Sequence, residues 1–327
     1  MAAPSLTIAF AGDTMLGRGV AKAVAARRPV VAPEVAELAA GADLFVLNLE
    51  CCISDRGEQW PARGKPFFFR APPHAAEVLR ELGVDAVTLA NNHALDFGTT
   101  ALLDTLGHLE AAGIAHVGAG PDRAAARAPL VLETGGLRVA FVAACDHADD
   151  FAAGPERPGI AYADLKRESL PAWFEQAIEH ARGHADLVVV CPHWGPNMVA
   201  RPVDHVRRAA AAMAHAGAAL VIGHSAHVPH GAAGRVLYDA GDFVDDYAVD
   251  PALRNDLGLL FRVRVTADGP IALEAFPLEL EYCYTRLANA DAAELVLRRF
   301  ASACTELGAE PSLRADRVSV PLAAQRG

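Results

Sequence analysis

Leu6-Thr7-Ile8-Ala9-Phe10-Ala11-Gly12-Asp13 decides how this chain is read: an apolar run of strand-forming residues ends, past one glycine, in a carboxylate. The pattern returns four times. Residues 43–48 lead into Leu49-Glu50, and residues 84–90 into Asn91-Asn92-His93. Residues 187–191 lead into His193-Trp194-Gly195, and residues 219–222 into Gly223-His224-Ser225-Ala226-His227. Short apolar runs bounded by turn residues read as buried strands. In an open α/β sheet the carboxyl ends of the strands share one edge, where sites form. Five polar segments delivered to one edge predict a site that no single segment could build.

Between the strands the spacing predicts helices at 33–40, 74–82, 99–112, 171–182 and 203–216, with a last amphipathic helix at 290–307. Pro72-Pro73 before the helix at 74–82 and Gly83 after it, with Gly113 and Gly217 closing two others, are the expected punctuation. Residues 130–133 and 137–143 read as a hairpin around Gly135-Gly136. Residues 234–240, 258–265 and 271–277 read as late antiparallel strands, and the tail after Glu310 as loosely held. Alternating strands and helices give α/β layers, and the hairpin and late strands make the sheet mixed. No linker divides the 327 residues, so one domain is expected. The longest irregular stretch, 146–159, reads as a lid or substrate loop.

Composition excludes several classes. Apolar residues are 52% of the chain, ample for a core. Forty acidic residues against 29 basic give a net charge of −11, and no Lys/Arg block offers phosphate contacts, so nucleic acid is not expected as a partner. None of the six cysteines forms a Cys-x-x-Cys pair, and several sit in apolar runs, as expected of buried thiols in a reducing compartment. The N-terminus has no basic segment and no run approaches the ~20 apolar residues of a membrane span. A cytoplasmic protein without a membrane anchor is the expectation.

Oxygen and imidazole ligands together suit a divalent cation: Mn, Zn or Fe, with Ca if fewer imidazoles are used. Asp13 ends the first strand and can bind metal or cap a helix. Glu50 follows five apolar residues and can bridge two cations. Asn92 offers an amide oxygen. His93, if not a ligand, is placed to act as general acid, with Asp96 fixing its tautomer. His193, His224 and His227 offer imidazoles, the last two needing a turn that Gly223 permits. Lys65, Arg201, His230 and Asp242 are the candidates to face substrate.

Taken together, Gly12-Asp13-x-Met15-Leu16-Gly17-Arg18, Asn48-Leu49-Glu50, Lys65-Pro66-Phe67-x-Phe69, Asn91-Asn92-His93-x-x-Asp96-x-Gly98, His193-Trp194-Gly195 and Gly223-His224-x-x-His227-Val228 resemble the CapA family, named for poly-γ-glutamate capsule synthesis. That family lies within the calcineurin-like metallophosphatase superfamily. The resemblance implies a mixed β-sandwich flanked by helices, with a metal site of one or two ions at the strand ends. It assigns Asp13 and His227 to one metal, Asn92, His193 and His224 to the other, Glu50 to the bridge, and His93 to protonating a leaving group. Met15 stands where the phosphatase pattern has a His, which weakens the first metal position. Asn197, His230 and Asp242 also depart from the CapA pattern. The implied function is a metal-dependent hydrolase of a small phosphoester. A metal-dependent peptide Cα epimerase and a non-catalytic component of capsule synthesis are the alternatives.

Overall fold

The computed structural model describes residues 5–61 and 64–322. Its larger sheet runs, edge to edge, through Ser312–Leu313, Val318–Pro321, Gly269–Glu281, Leu257–Thr266, Ser5–Thr14, Leu44–Leu49, Ala86–Thr88 and Ala115–Val117. The second sheet runs through Ala232–Ala233, Val236–Leu237, Leu220–Ile222, Leu187–His193, Leu137–Cys145 and Leu130–Thr134. In each sheet the strands that carry site residues are parallel neighbours. Their carboxyl ends therefore fall on common edges.

The alternation of side chains along the strands explains the layers. Val139, Phe141, Ala143 and Cys145 join Val189 and Cys191 in the core shared with Ile8, Phe10 and Leu47 of the larger sheet. The intervening Ala140, Val142, Ala144, Val188 and Val190 pack outward, against Phe174 and Ile178 of helix Ala172–Arg182 and Val206 and Met213 of helix Asp204–Ala216. Strands apolar on both faces are the expected signature of a covered parallel sheet. This is the mixed α/β sandwich with flanking helices that the resemblance implies, and the expected helices all appear within two residues of their predicted bounds. The six cysteines are buried free thiols.

Three expectations are corrected. Val236–Leu237 runs parallel to Leu220–Ile222, not antiparallel, because a short antiparallel partner, Ala232–Ala233, turns the chain first. As far as residue 322 the tail is not loose, and the residues beyond lie outside the described ones: Val318–Pro321 pairs with Gly269–Glu281, and Val318 and Val320 are fully buried. A helix at Arg18–Ala25 follows the first strand directly, where no helix was expected.

Candidate metal centre

The first strand ends beside two others. Asp13 stands in register with Asn48 on one side and Asp242 on the other. Its amide donates to the Gly241 carbonyl at 2.8 Å. That approach needs Gly12, since a Cβ there would lie 1.8 Å from the same oxygen. In the second sheet, His193 forms a parallel bridge with His224. Asp13, Glu50, His193, His224 and His227 are all buried.

Gly223 permits the turn that presents His224 and His227 but does not make it. Gly223 serves another end: a Cβ on it would lie 2.1 Å from the Tyr238 carbonyl oxygen. The left-handed backbone falls instead on Ser225 (φ 112°) and His227 (φ 60°), residues with side chains. Such conformations persist only when surrounding structure fixes them. Here the Ser225 amide donates to Asp13 Oδ2 at 3.2 Å and the Ala226 amide to Asp239 at 2.8 Å.

Asp13, Glu50 and His227 each place a ligand atom within 4.8 Å of the others. His224 Nδ1 lies 3.2 Å from Asp13 Oδ1, and His193 Nε2 lies 3.6 Å from Glu50 Oε1. Both oxygens of Glu50 are buried with no hydrogen-bond donor among the described residues, and Asn92 Oδ1 is likewise without a hydrogen-bond partner there. Leaving an acid's two oxygens dry and unpaired is costly unless a cation fills the gap. The donor set, two carboxylates, an amide oxygen and imidazoles, fits a divalent cation of the Mn, Zn or Fe kind.

The electrostatics agree. Burial and the neighbouring Asp13 push the Glu50 carboxyl well above its usual range. Burial also opposes charge on Asp13, but His224, with His193 and His227, outweighs it and holds that carboxyl far below its usual range. Burial drives His193 well below the usual imidazole value, so it is neutral and its lone pair is available. Burial acts the same way on His227, but Asp242, Glu50 and Asp13 overcome it and raise its pKa well above the usual value.

His93 sits at the edge of the cluster, its Nε2 3.9 Å from Glu50. Its Nδ1 lies 2.6 Å from Asp96 Oδ2. Asp96 is itself fixed by the Phe69 amide at 2.7 Å and by Lys65, which also reaches the Asn92 carbonyl. Burial lowers the pKa of His93, and Asp96 only partly restores it.

Other expected substrate residues are placed elsewhere. Asp242 stands behind His227, Oδ1 to Nδ1 at 2.8 Å, and so orients that ring. Arg201 lies on the surface, its guanidinium drawn into an ion pair with Glu306. His230 is buried and directs Nε2 to the Val199 carbonyl. Sequence reasoning gave no role to Asn48 or Asn91. Asn48 donates to Asp13 at 2.7 Å and accepts from Thr88 and from Asn91, which also holds the Leu49 carbonyl. Together they tie three strand ends at one point. The signal for Asn48 was its place two residues before Glu50 in an otherwise apolar strand.

A family described as "Bacterial capsule synthesis protein PGA_cap" matches residues 7–247. The chain belongs to this family. Over 259 residues it is 34% identical to a "Probable polyglutamine synthesis accessory protein" of Mycobacterium tuberculosis, covering 73% of this chain and 66% of that one. Over 248 residues it is 30% identical to "PGA biosynthesis protein CapA" of Bacillus subtilis, covering 74% of this chain and 63% of that one. The match thus leaves about a third of each relative unspanned. Among solved structures, a hypothetical protein from Thermus thermophilus is similar at 20% identity and a TM-score of 0.47, covering 84% of this chain and 99% of that one. Among the described residues no helix is long and apolar enough to cross a membrane.

Proposed function

We propose that this protein is a metal-dependent hydrolase of phosphoester type, working in the capsule-polymer setting that its relatives' names indicate. The observation that carries the reading is Glu50, whose two buried, unpartnered oxygens sit among Asp13, His193 and His227. Asp13 and His227 would hold one cation, Asn92, His193 and His224 a second, and Glu50 would bridge them. Bound there, a divalent cation polarises a phosphoryl oxygen and offsets the charge that develops on it.

The chain's own residues supply the proton transfer. Asp96 accepts from Nδ1 of His93, which leaves Nε2 as the exchanging atom. Because burial lowers the pKa of His93, a proton taken up at Nε2 is readily given to a departing oxygen. Water oxygen bonds to phosphorus and releases one proton to solvent, the ester P–O bond breaks, Nε2 protonates the departing alcohol, and the imidazole then takes a proton back from solvent. Lys65 and the Phe69 amide keep Asp96, and through it the ring, in place.

Wild-type protein with added Mn should hydrolyse generic phosphodiesters or phosphomonoesters. His93→Ala should keep its metal and lose roughly 10²- to 10⁴-fold in kcat. Hydrolysis by the variant at the wild-type rate would remove His93 from the reaction.

One observation favours a second reading. His93 and His227 line the same cavity, each backed by a carboxylate, Asp96 at 2.6 Å and Asp242 at 2.8 Å. Two imidazole–carboxylate couples facing one space suit removal and return of a Cα proton, as in peptide epimerisation. Deuterium uptake at Cα of test peptides, without phosphoester turnover, would select this reading.

A further inference from the structure

A cavity of about 290 Å³ lies between the metal-centre imidazoles and solvent. Asn92, His93 and His227 form its inner end, and Pro66, Phe67, Met198, Tyr247 and Ala248 are prominent in its walls. Phe67 and Met198 are 38% and 37% exposed, so the cavity presents apolar surface to solvent. Aromatic rings line the cavity, with the fully buried Phe69 behind them. The Phe67 and Tyr247 rings are 5.4 Å apart, Tyr247 and His227 5.4 Å, and Phe69 and His93 4.6 Å. Met198 is held against this wall in a left-handed backbone conformation (φ 53°) by its amide bond to the Ala226 carbonyl.

Charge is distributed against an anionic occupant. Among the described residues, Lys65 is the one Lys or Arg lining the cavity, and it is spent on Asp96 and the Asn92 carbonyl. Arg18, whose guanidinium lies 4.7 Å from the Phe67 ring, is paired with Asp246 at 3.4 Å. Behind the inner end stand Asp13, Glu50, Asp242 and Asp245, all buried. A run of carboxylates lying along these walls would lose water and gain no free cation from them.

We propose that the substrate carries an uncharged aromatic or alkyl group, about one ring in size, beside the group that meets the metals. A polyglutamate segment, with a free carboxylate on each residue, finds no charge partner on these walls. The proposal rests on the metal centre described above, and its test does not require turnover.

Metal-loaded protein is titrated calorimetrically with methylphosphonate, phenylphosphonate and 4-carboxyphenylphosphonate. Burial of the ring should make phenylphosphonate bind about tenfold tighter than methylphosphonate. The added carboxylate should cancel that gain. Met198→Lys, a rim substitution, should narrow the gap between the two aromatic ligands by about fivefold or more. Equal binding of methyl and phenyl ligands, tightest binding of the carboxylate, or no binding of phenylphosphonate would each overturn the proposal. A phenyl preference without phosphoester hydrolysis would sink the hydrolase reading alone. Hydrolysis without a phenyl preference would sink the cavity proposal alone.

Discussion

His193 and His227 lie in one buried cluster and are pushed in opposite directions, His193 down by burial and His227 up by Asp242, Glu50 and Asp13. The difference has a measurable consequence. A group whose folded pKa is raised stabilises the fold below its unfolded pKa, and that contribution is lost as pH rises through the folded value. His227 is such a group in metal-free protein. To coordinate a cation it must give up its proton, so metal and proton compete there. His193 is already neutral and sets no such limit. The rise in Tm on adding Mn to chelator-treated protein should therefore grow from about pH 6 to about pH 8.5. A gain independent of pH would mean that His227 does not exchange a proton for the metal.

At the scale of elements, the strand ends were readable and the way they meet was not. Apolar runs closed by Asp13, Glu50, His93, His193 and His224 announced both strands and polar edge, because burial forces a long apolar run and a site forces its interruption. The longer helices were readable from period and punctuation, while the short Arg18–Ala25 and Arg123–Arg127 were not. The contact between the Gly12 and Gly241 segments was invisible, because a glycine in sequence does not say which backbone approaches it. The same holds for Ser225 and His227, whose left-handed backbone comes from bonds to Asp13 and Asp239, distant in sequence. Arg201 and His230 misled for the reverse reason: proximity in sequence to the site strands did not predict their partners, Glu306 for Arg201 and the Val199 carbonyl for His230. Gly12→Ala tests the close approach. Its Cβ would meet the Gly241 carbonyl oxygen at 1.8 Å, so the backbone must shift. A loss of roughly 3 kcal/mol in denaturant stability is expected, with weakened metal binding. A variant as stable as wild type would show that the two segments are not pressed together.

Across the whole molecule, the centre sits where two sheets bring their parallel strand ends together over one shared core. The larger sheet is completed by residues far outside the matched family region, down to Val318–Pro321. Deleting residues 311–327 exposes the edge of Gly269–Glu281 and removes the buried Val318 and Val320. At about 1.5–3 kcal/mol for each buried valine, Tm should fall on the order of 10 °C. An unchanged Tm would make that strand dispensable. The central claim is that the strand-end cluster holds divalent metal through Glu50. It is tested most directly by metal content, measured by mass spectrometry on purified wild type and Glu50→Gln after loading with Mn and removal of excess. The account predicts one to two ions per wild-type chain and a clear loss in the variant. Equal metal content in the two proteins, or none in wild type, would contradict it.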